Sequence, residues 1–507
     1  MISTLRRAPG RLRTAAATSK TLRRSYAATS PSVEKKEGDI SSVFASLSGA
    51  QPEPLPARFA ELKARLIRGR EDQLRNSWER LLAELREEIG IIAALGPKVV
   101  PEIQFNDIHS PSESFVSEVK KRGVAVVRGV IPHDEARSYK VDVGNYVKAN
   151  PHTKAFPPHD PQVYELYWSP SQVRARAHPN LLDAQSFLMS FWHSKDPEAL
   201  ISTSHPLAYA DRLRIRQPGD SGFALGPHVD GGSVERWEEN GYGLGQVYDK
   251  IWEGRWEEYD PWESSCRLPV VADRYNGPGA CSMFRMFQGW LSMSTTSPNE
   301  GTLLVNPLLS RATAYYLLRP FFSPKNGADP ESRDDGFLSS ANWQLDPQPT
   351  SILQGAFPSV CQELNAALHP HLNLTQSMVH VPTVQPGDYV AWHCDTIHAV
   401  DKTHAGRSDA SVMYIPSCPL TENNANYLVR QREAFLIGTP GPDFPGGKGE
   451  SEHIGRPTAD FYPAATPDVE ISGESAMGLA PLQVGQKHTS KGQREVIRRA
   501  NEILGLK

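Results

Sequence analysis

Between positions 57 and 94 the apolar residues recur at three- and four-residue steps: Phe59, Leu62 and Leu66, then Leu74, Trp78, Leu81, Leu82 and Leu85. That spacing lines one stripe of a helix, and Gly96-Pro97 marks its end. The stripe suits a scaffold or an oligomer contact, not a site. The period then changes. A β-branched run over residues 121–130, bounded by Gly123 and Gly129, reads as a strand, and an acidic-led helix follows from about His133 to Val147. Downstream, short apolar runs punctuated by Pro and Gly predict a β-rich core with long loops. Candidate strands are Arg212 to Ile215, Cys281 to Thr295, Gly301 to Asn306, Met378 to Pro382, Tyr389 to Trp392 and Ser411 to Ile415. The stretch from His228 to Cys281 carries Trp237, Trp252, Trp256 and Trp262 and is too long for a plain hairpin. It reads either as a lid or as cover for a hydrophobic flank. Residues 438–480, rich in Gly and Pro, read as an irregular surface wrap, and no internal repeat is visible.

Composition narrows the class. The chain has 507 residues and 39% hydrophobic content, enough for a large core. It has no apolar run of membrane-spanning length, and a net charge of -4 without a basic block in its body argues against nucleic acid as a partner. The cysteines at 266, 281, 361, 394 and 418 form no CxxC pair, which suits reduced thiols. Residues 1–33 differ from the rest: Arg6, Arg7, Arg11, Arg13, Lys20, Arg23 and Arg24 lie among Ser, Thr and Ala, and the first acid is Glu34. That is the composition of a mitochondrial transit peptide, with a matrix processing site expected after Tyr26. The expected organisation is therefore a transit peptide (1–26), a linker (27–56), a helical extension (57–114), a catalytic domain (115–437) and an irregular C-terminal extension with a terminal helix (438–507).

The chemistry rests on His228-Val229-Asp230, on Pro386-Gly387-Asp388 opening the strand Tyr389 to Trp392, and on His398 and Arg407. His and Asp one residue apart on an extended backbone point to the same side, and the flanking Gly226-Pro227 and Gly231-Gly232 suggest a strand end opening into a tight loop. Two imidazoles and a carboxylate with open positions are the ligand pattern of a non-haem Fe(II) oxygenase. Arg407, at the head of the strand after His398, supplies a planar guanidinium for the far carboxylate of a co-substrate. Arg214, Arg216, Arg236 and Arg285 are further candidates for an acidic substrate.

These motifs, with Gln288-Gly289-Trp290-Leu291-Ser292-Met293 and Asn299 to Pro307, resemble the phytanoyl-CoA hydroxylase branch of the Fe(II)/2-oxoglutarate dioxygenases, and more closely an uncharacterised YbiU-like family. The resemblance spans roughly residues 115 to 420. It implies an α+β fold with a double-stranded β-helix (jelly-roll, cupin-like) core, flanking helices and long insertions. It also implies a dioxygenase that takes a small-molecule substrate and O2, uses 2-oxoglutarate as co-substrate and releases succinate and CO2. His228, Asp230 and His398 match the iron ligands, Arg407 the anchor of the 2-oxoglutarate far carboxylate, and Trp290 a wall of the co-substrate pocket. Val400 stands where the superfamily often has Ser, and Asn306-Pro307-Leu308-Leu309 replaces its usual Pro-Gly-Ser-His.

Other readings of the same residues are a non-catalytic cupin-like metal-binding protein and a zinc hydrolase using the triad around an activated water. A local zinc site at His393-Cys394-Asp395 is a further rival, and it leaves Arg407 and the first HxD motif without a role.

Overall fold

The computed structural model describes residues 35–48, 53–278, 280–325, 335–444, 446–461, 472–485 and 490–506. The expected transit peptide lies outside them. The N-terminal stripe folds as two helices instead of one, α1 (Arg58–Ile67) and α2 (Glu71–Leu95). They part at Gly69, whose φ of 74° is a left-handed conformation that favours glycine. Phe59, Leu62, Leu74, Trp78, Leu81 and Leu85 are buried in the same core as the sheets. Trp78 stacks on Phe322 with centroids 4.3 Å apart, so the stripe is a scaffold covered within the chain.

Two sheets face each other behind these helices. The first runs in the order β1-β2-β11-β7-β13-β5-β4-β3 and the second β9-β6-β12-β8-β10. In chain order these strands are β1 (Glu102–Gln104), β2 (Val124–Arg128), β3 (Ala155–Phe156), β4 (Val163–Tyr164), β5 (Leu213–Arg216), β6 (His228–Val229), β7 (Phe287–Ser292), β8 (Leu303–Val305), β9 (Gln362–Glu363), β10 (Val379–His380), β11 (Tyr389–His393), β12 (His398–Val400) and β13 (Ala410–Tyr414). Apart from the parallel β1–β2 edge, their pairings are antiparallel. Side chains alternate across a strand, and this divides the first sheet cleanly. Val126, Val390 and Trp392 pack inward against Val229, Leu303 and Val305 of the second sheet. Val127, Leu213, Leu291, Tyr389 and Met413 pack outward against helices, including the expected one at His133–Ala149.

From β5 onward the chain passes back and forth between the sheets, and this brings the expected strands of residues 212–415 together. Where the candidate strand Cys281 to Thr295 was expected, only Phe287–Ser292 is extended. The helix Leu309–Leu318 was not anticipated. It is buried nearly all round, so it shows no polar face for a helical period to reveal.

The four tryptophans of the 228–281 insertion are all buried, Trp237 Nε1 donating to Leu317 O at 3.1 Å and Trp262 Nε1 to Lys120 O at 3.1 Å. They cover the flank of the core; among the described residues none of the four lines the main cavity. The terminal helix is present at Lys491–Leu504 and packs on the helix Glu422–Ile437. Among the described residues no helix is long and apolar enough to cross a membrane.

Candidate metal centre

His228 and His398 lie directly opposite each other on the paired strands β6 and β12, with ring centroids 4.1 Å apart. Asp230 comes directly after β6, two positions beyond His228, as the HxD spacing requires. Gly231 and Gly232, with φ of 78° and 96°, then turn the chain away, and a β-carbon on Gly232 would meet the Ala272 carbonyl at 2.8 Å. Asp230 Oδ1 is 3.6 Å from His228 Nε2, and Oδ2 is 3.8 Å from His398 Nε2. One ligand atom from each residue falls within 4.8 Å of the other two. Each imidazole turns its Nδ1 to a backbone carbonyl, Gly226 O at 2.7 Å and Thr396 O at 3.1 Å. This fixes the tautomer and leaves both Nε2 lone pairs facing the carboxylate.

The electrostatics suit a cation. Burial, reinforced by His228, pushes the His398 imidazole down to about 3, so it is neutral and able to ligate at neutral pH. Burial pushes the Asp230 carboxyl up, but His228, His398 and Arg285 outweigh it and hold the group well below its ordinary value. Residues without a motif of their own orient this carboxylate. Gln288 Nε2 donates to Oδ2 at 2.8 Å, Cys361 Sγ to Oδ1 at 3.3 Å, and Arg285 Nη2 stands 3.8 Å from Oδ2. Gln288 lies two residues before Trp290 on β7 and shares its face, a signal the period of two already contained. Cys361 gave none.

The triad opens on a cavity between the sheets, walled by Phe44, Arg212, Arg285, Trp290, Trp392 and Tyr414 among others. Trp290 lines that wall, edge-on to Trp392 and stacked with Tyr414. Arg407 does not. It is exposed in the bend before β13 and absent from the cavity wall. The expectation that it grips a carboxylate beside the metal is corrected by its position, because the strand begins only at Ala410 and the preceding loop carries Arg407 outward.

The family profile described as Gig2-like matches residues 53–479. The chain belongs to the Gig2-like family. It is 31% identical over 407 residues to the uncharacterised protein YbiU of Escherichia coli strain K12, covering 77% of this chain and 88% of that one. Among solved structures, GlcNAc Inducible Gene 2 from Candida albicans is 32% identical, with a TM-score of 0.77 over 90% of this chain and 96% of that one. The hypothetical protein JW0805 from Escherichia coli is 29% identical, with a TM-score of 0.69 over 85% and 100%.

Two other parts of this Gig2-like chain bear on the site. The rival cluster His393-Cys394-Asp395 also gathers ligand-type atoms, but they are engaged elsewhere. Asp395 is held by Arg236, Arg267, Tyr248 and Tyr259. His393 accepts from Asp395 N at 3.0 Å through Nδ1, donates to Pro261 O at 3.0 Å through Nε2, and stacks on Trp192. This is a polar core that braces the triad, for Arg236 also donates to Asp230 O at 2.6 Å.

The second part is the segment 35–48, which straps one side of the cavity. Lys35 is bound to Asp273 and to Ala280 O, the Cys361 amide donates to Val43 O at 2.8 Å, and Phe44 stands edge-on to His228 with centroids 4.8 Å apart. Replacing Phe44 by Ala is expected to lower the unfolding free energy by about 3 kcal/mol. Urea unfolding of the two proteins measures it, and a loss under about 1 kcal/mol would show that the strap carries little of this packing.

Proposed function

We propose that this protein is an Fe(II)- and 2-oxoglutarate-dependent dioxygenase that oxidises a small molecule with O2. The observation that carries the reading is the convergence of two tautomer-fixed imidazoles and one ionised carboxylate on one cavity. Such a donor set, with positions left for exogenous ligands, fits Fe(II). The order of the strands supports it. From β5 to β13 the chain winds between two facing sheets as in a double-stranded β-helix of jelly-roll, cupin-like type, with the ligands at the ends of β6 and β12.

With Fe(II) and 2-oxoglutarate bound, the centre would supply O2 activation and oxidative decarboxylation, yielding succinate and CO2. The protein's own tasks follow from its geometry. His228, Asp230 and His398 would hold the metal. Gln288 and Cys361 keep the carboxylate from rotating, while Gly226 and Thr396 carbonyls keep each Nδ1 protonated. Phe44, Trp290 and Trp392 exclude water from the reacting face. Arg285, beside Asp230 and facing the cavity, is placed to orient an anionic group of the substrate.

The test is O2 uptake by the Fe(II)-loaded protein. Uptake that requires 2-oxoglutarate and yields succinate is expected, abolished by Asp230→Ala and kept within about twofold by Arg407→Ala, since an exposed side chain contributes little to a buried site. Metal-loaded protein that consumes no O2 with 2-oxoglutarate contradicts the proposal. Delivery to the mitochondrial matrix through residues 1–26 belongs to the same proposal, and a reporter fused to residues 1–40 that stays in the cytosol refutes it.

A further inference from the structure

Displacement of Arg407 leaves the far carboxylate of 2-oxoglutarate without its expected partner, and β5 offers another. Arg212, Arg214 and Arg216 alternate along one stretch of chain, so all three guanidinium groups start from the inner face of the first sheet. The outer two are neutralised: Arg212 Nε donates to Asp211 at 3.2 Å and Arg216 Nε to Asp220 at 2.6 Å. The middle one is not. Arg214 is 2% exposed, and among the described residues no carboxylate lies within ion-pair distance of it. Its Nη2 donates to Gln162 Oε1 at 2.8 Å and to Phe223 O at 2.6 Å, and the guanidinium lies 5.2 Å from the Phe223 ring centre, whereas Nε and Nη1 are buried with no well-aligned hydrogen-bond partner and only the Tyr414 side chain close by. A buried cation with two orphaned donors is costly unless an anion joins it. Burial accordingly lowers this guanidinium to about 10, against the opposing pull of Tyr414.

Position agrees with charge. Arg214 stands directly opposite Val412 of β13, the strand that follows the distal histidine and was expected to begin with the anchoring arginine. Arg214 lines a second, smaller cavity with Ser292, Thr296 and Thr302. Trp290 borders both this cavity and the one that holds the triad, so a short dianion passing Trp290 would join them.

We propose that Arg214, and not Arg407, holds the far carboxylate of 2-oxoglutarate. The assignment rests on the dioxygenase reading and specifies which residue serves it. The test compares 2-oxoglutarate with 2-oxopentanoate, the same keto acid with a methyl in place of the far carboxylate, by calorimetric titration of the Mn(II)-loaded protein. The wild type should prefer 2-oxoglutarate by about 10- to 100-fold, the range of a charge-assisted, two-pronged contact. Arg214→Gln should abolish the preference by weakening 2-oxoglutarate alone, leaving 2-oxopentanoate as before, and Arg407→Ala should keep the preference intact. Arg214→Lys retains the buried charge but not the fork and should keep only part of the preference; it carries the test if the Gln variant does not fold. An unchanged preference in a folded Arg214 variant, or its loss in Arg407→Ala, overturns the assignment while leaving the dioxygenase reading standing. A wild-type protein that binds neither keto acid overturns both.

Discussion

Asp230→Ala is expected to lower Fe(II) affinity by about 100-fold or more, since outer partners of metal ligands alone are worth 10- to 100-fold. The carboxylate is the one anionic donor of the set, and its removal leaves two imidazoles 4.1 Å apart with Arg285 facing them. A dication then keeps two imidazole donors but no anionic one to offset the cost of its desolvation, and the nearby guanidinium repels it. The fold should survive, because the side chain of Asp230 contacts mainly the site itself, through Gln288 and Cys361. Equilibrium dialysis against Fe(II) under anaerobic conditions reads the change directly. Undiminished loading in this variant would remove Asp230 from the ligand set.

Asp395→Asn is expected to have the largest effect on stability, a loss of about 3–5 kcal/mol. Asp395 is buried and accepts from Arg236 Nη1 at 2.9 Å, Tyr248 at 3.0 Å, Tyr259 at 2.9 Å and from Arg267. The amide keeps the shape and removes the charge, which leaves two guanidinium groups unpaired in the core. Burial pushes this carboxyl up, but Arg267 and Arg236 outweigh it and hold it well below its ordinary value. Its contribution is therefore complete above the ordinary carboxylate range and is lost only as pH falls through the depressed folded value. Urea unfolding near neutral pH measures the loss. Metal stoichiometry of the folded variant should stay unchanged, whereas a drop would revive the rival site at His393-Cys394-Asp395.

Much of the site was legible because its signals are local. An HxD pair with glycines on both sides announces a strand end that presents two side chains to one point. Gly387, with φ of 92° and a position that would bring a β-carbon within 1.9 Å of Ile131 O, marks the turn that launches β11. Arg407 misled because sequence separation from His398 says nothing about where the intervening loop ends. Arg214 and Arg216 were visible as candidates for an anionic ligand, on a stretch where Arg212 starts the same alternation. Which of the three went unpaired was not. Phe44 and Cys361 come from segments far from the triad in sequence and carry no pattern, so only the folded chain brings them to His228 and Asp230. The tryptophans of the 228–281 insertion were ambiguous for the opposite reason, since an indole covering a core and an indole closing a lid look alike in sequence.

The central claim is that His228, Asp230 and His398 hold Fe(II) with room for a chelating keto acid. Its most direct test is the visible difference spectrum on adding 2-oxoglutarate to anaerobic, Fe(II)-loaded protein, with Asp230→Ala alongside. A weak metal-to-ligand charge-transfer band is expected in the wild type and none in the variant. Fe(II)-loaded protein that shows no such band, or a site that retains zinc and rejects Fe(II), would contradict it.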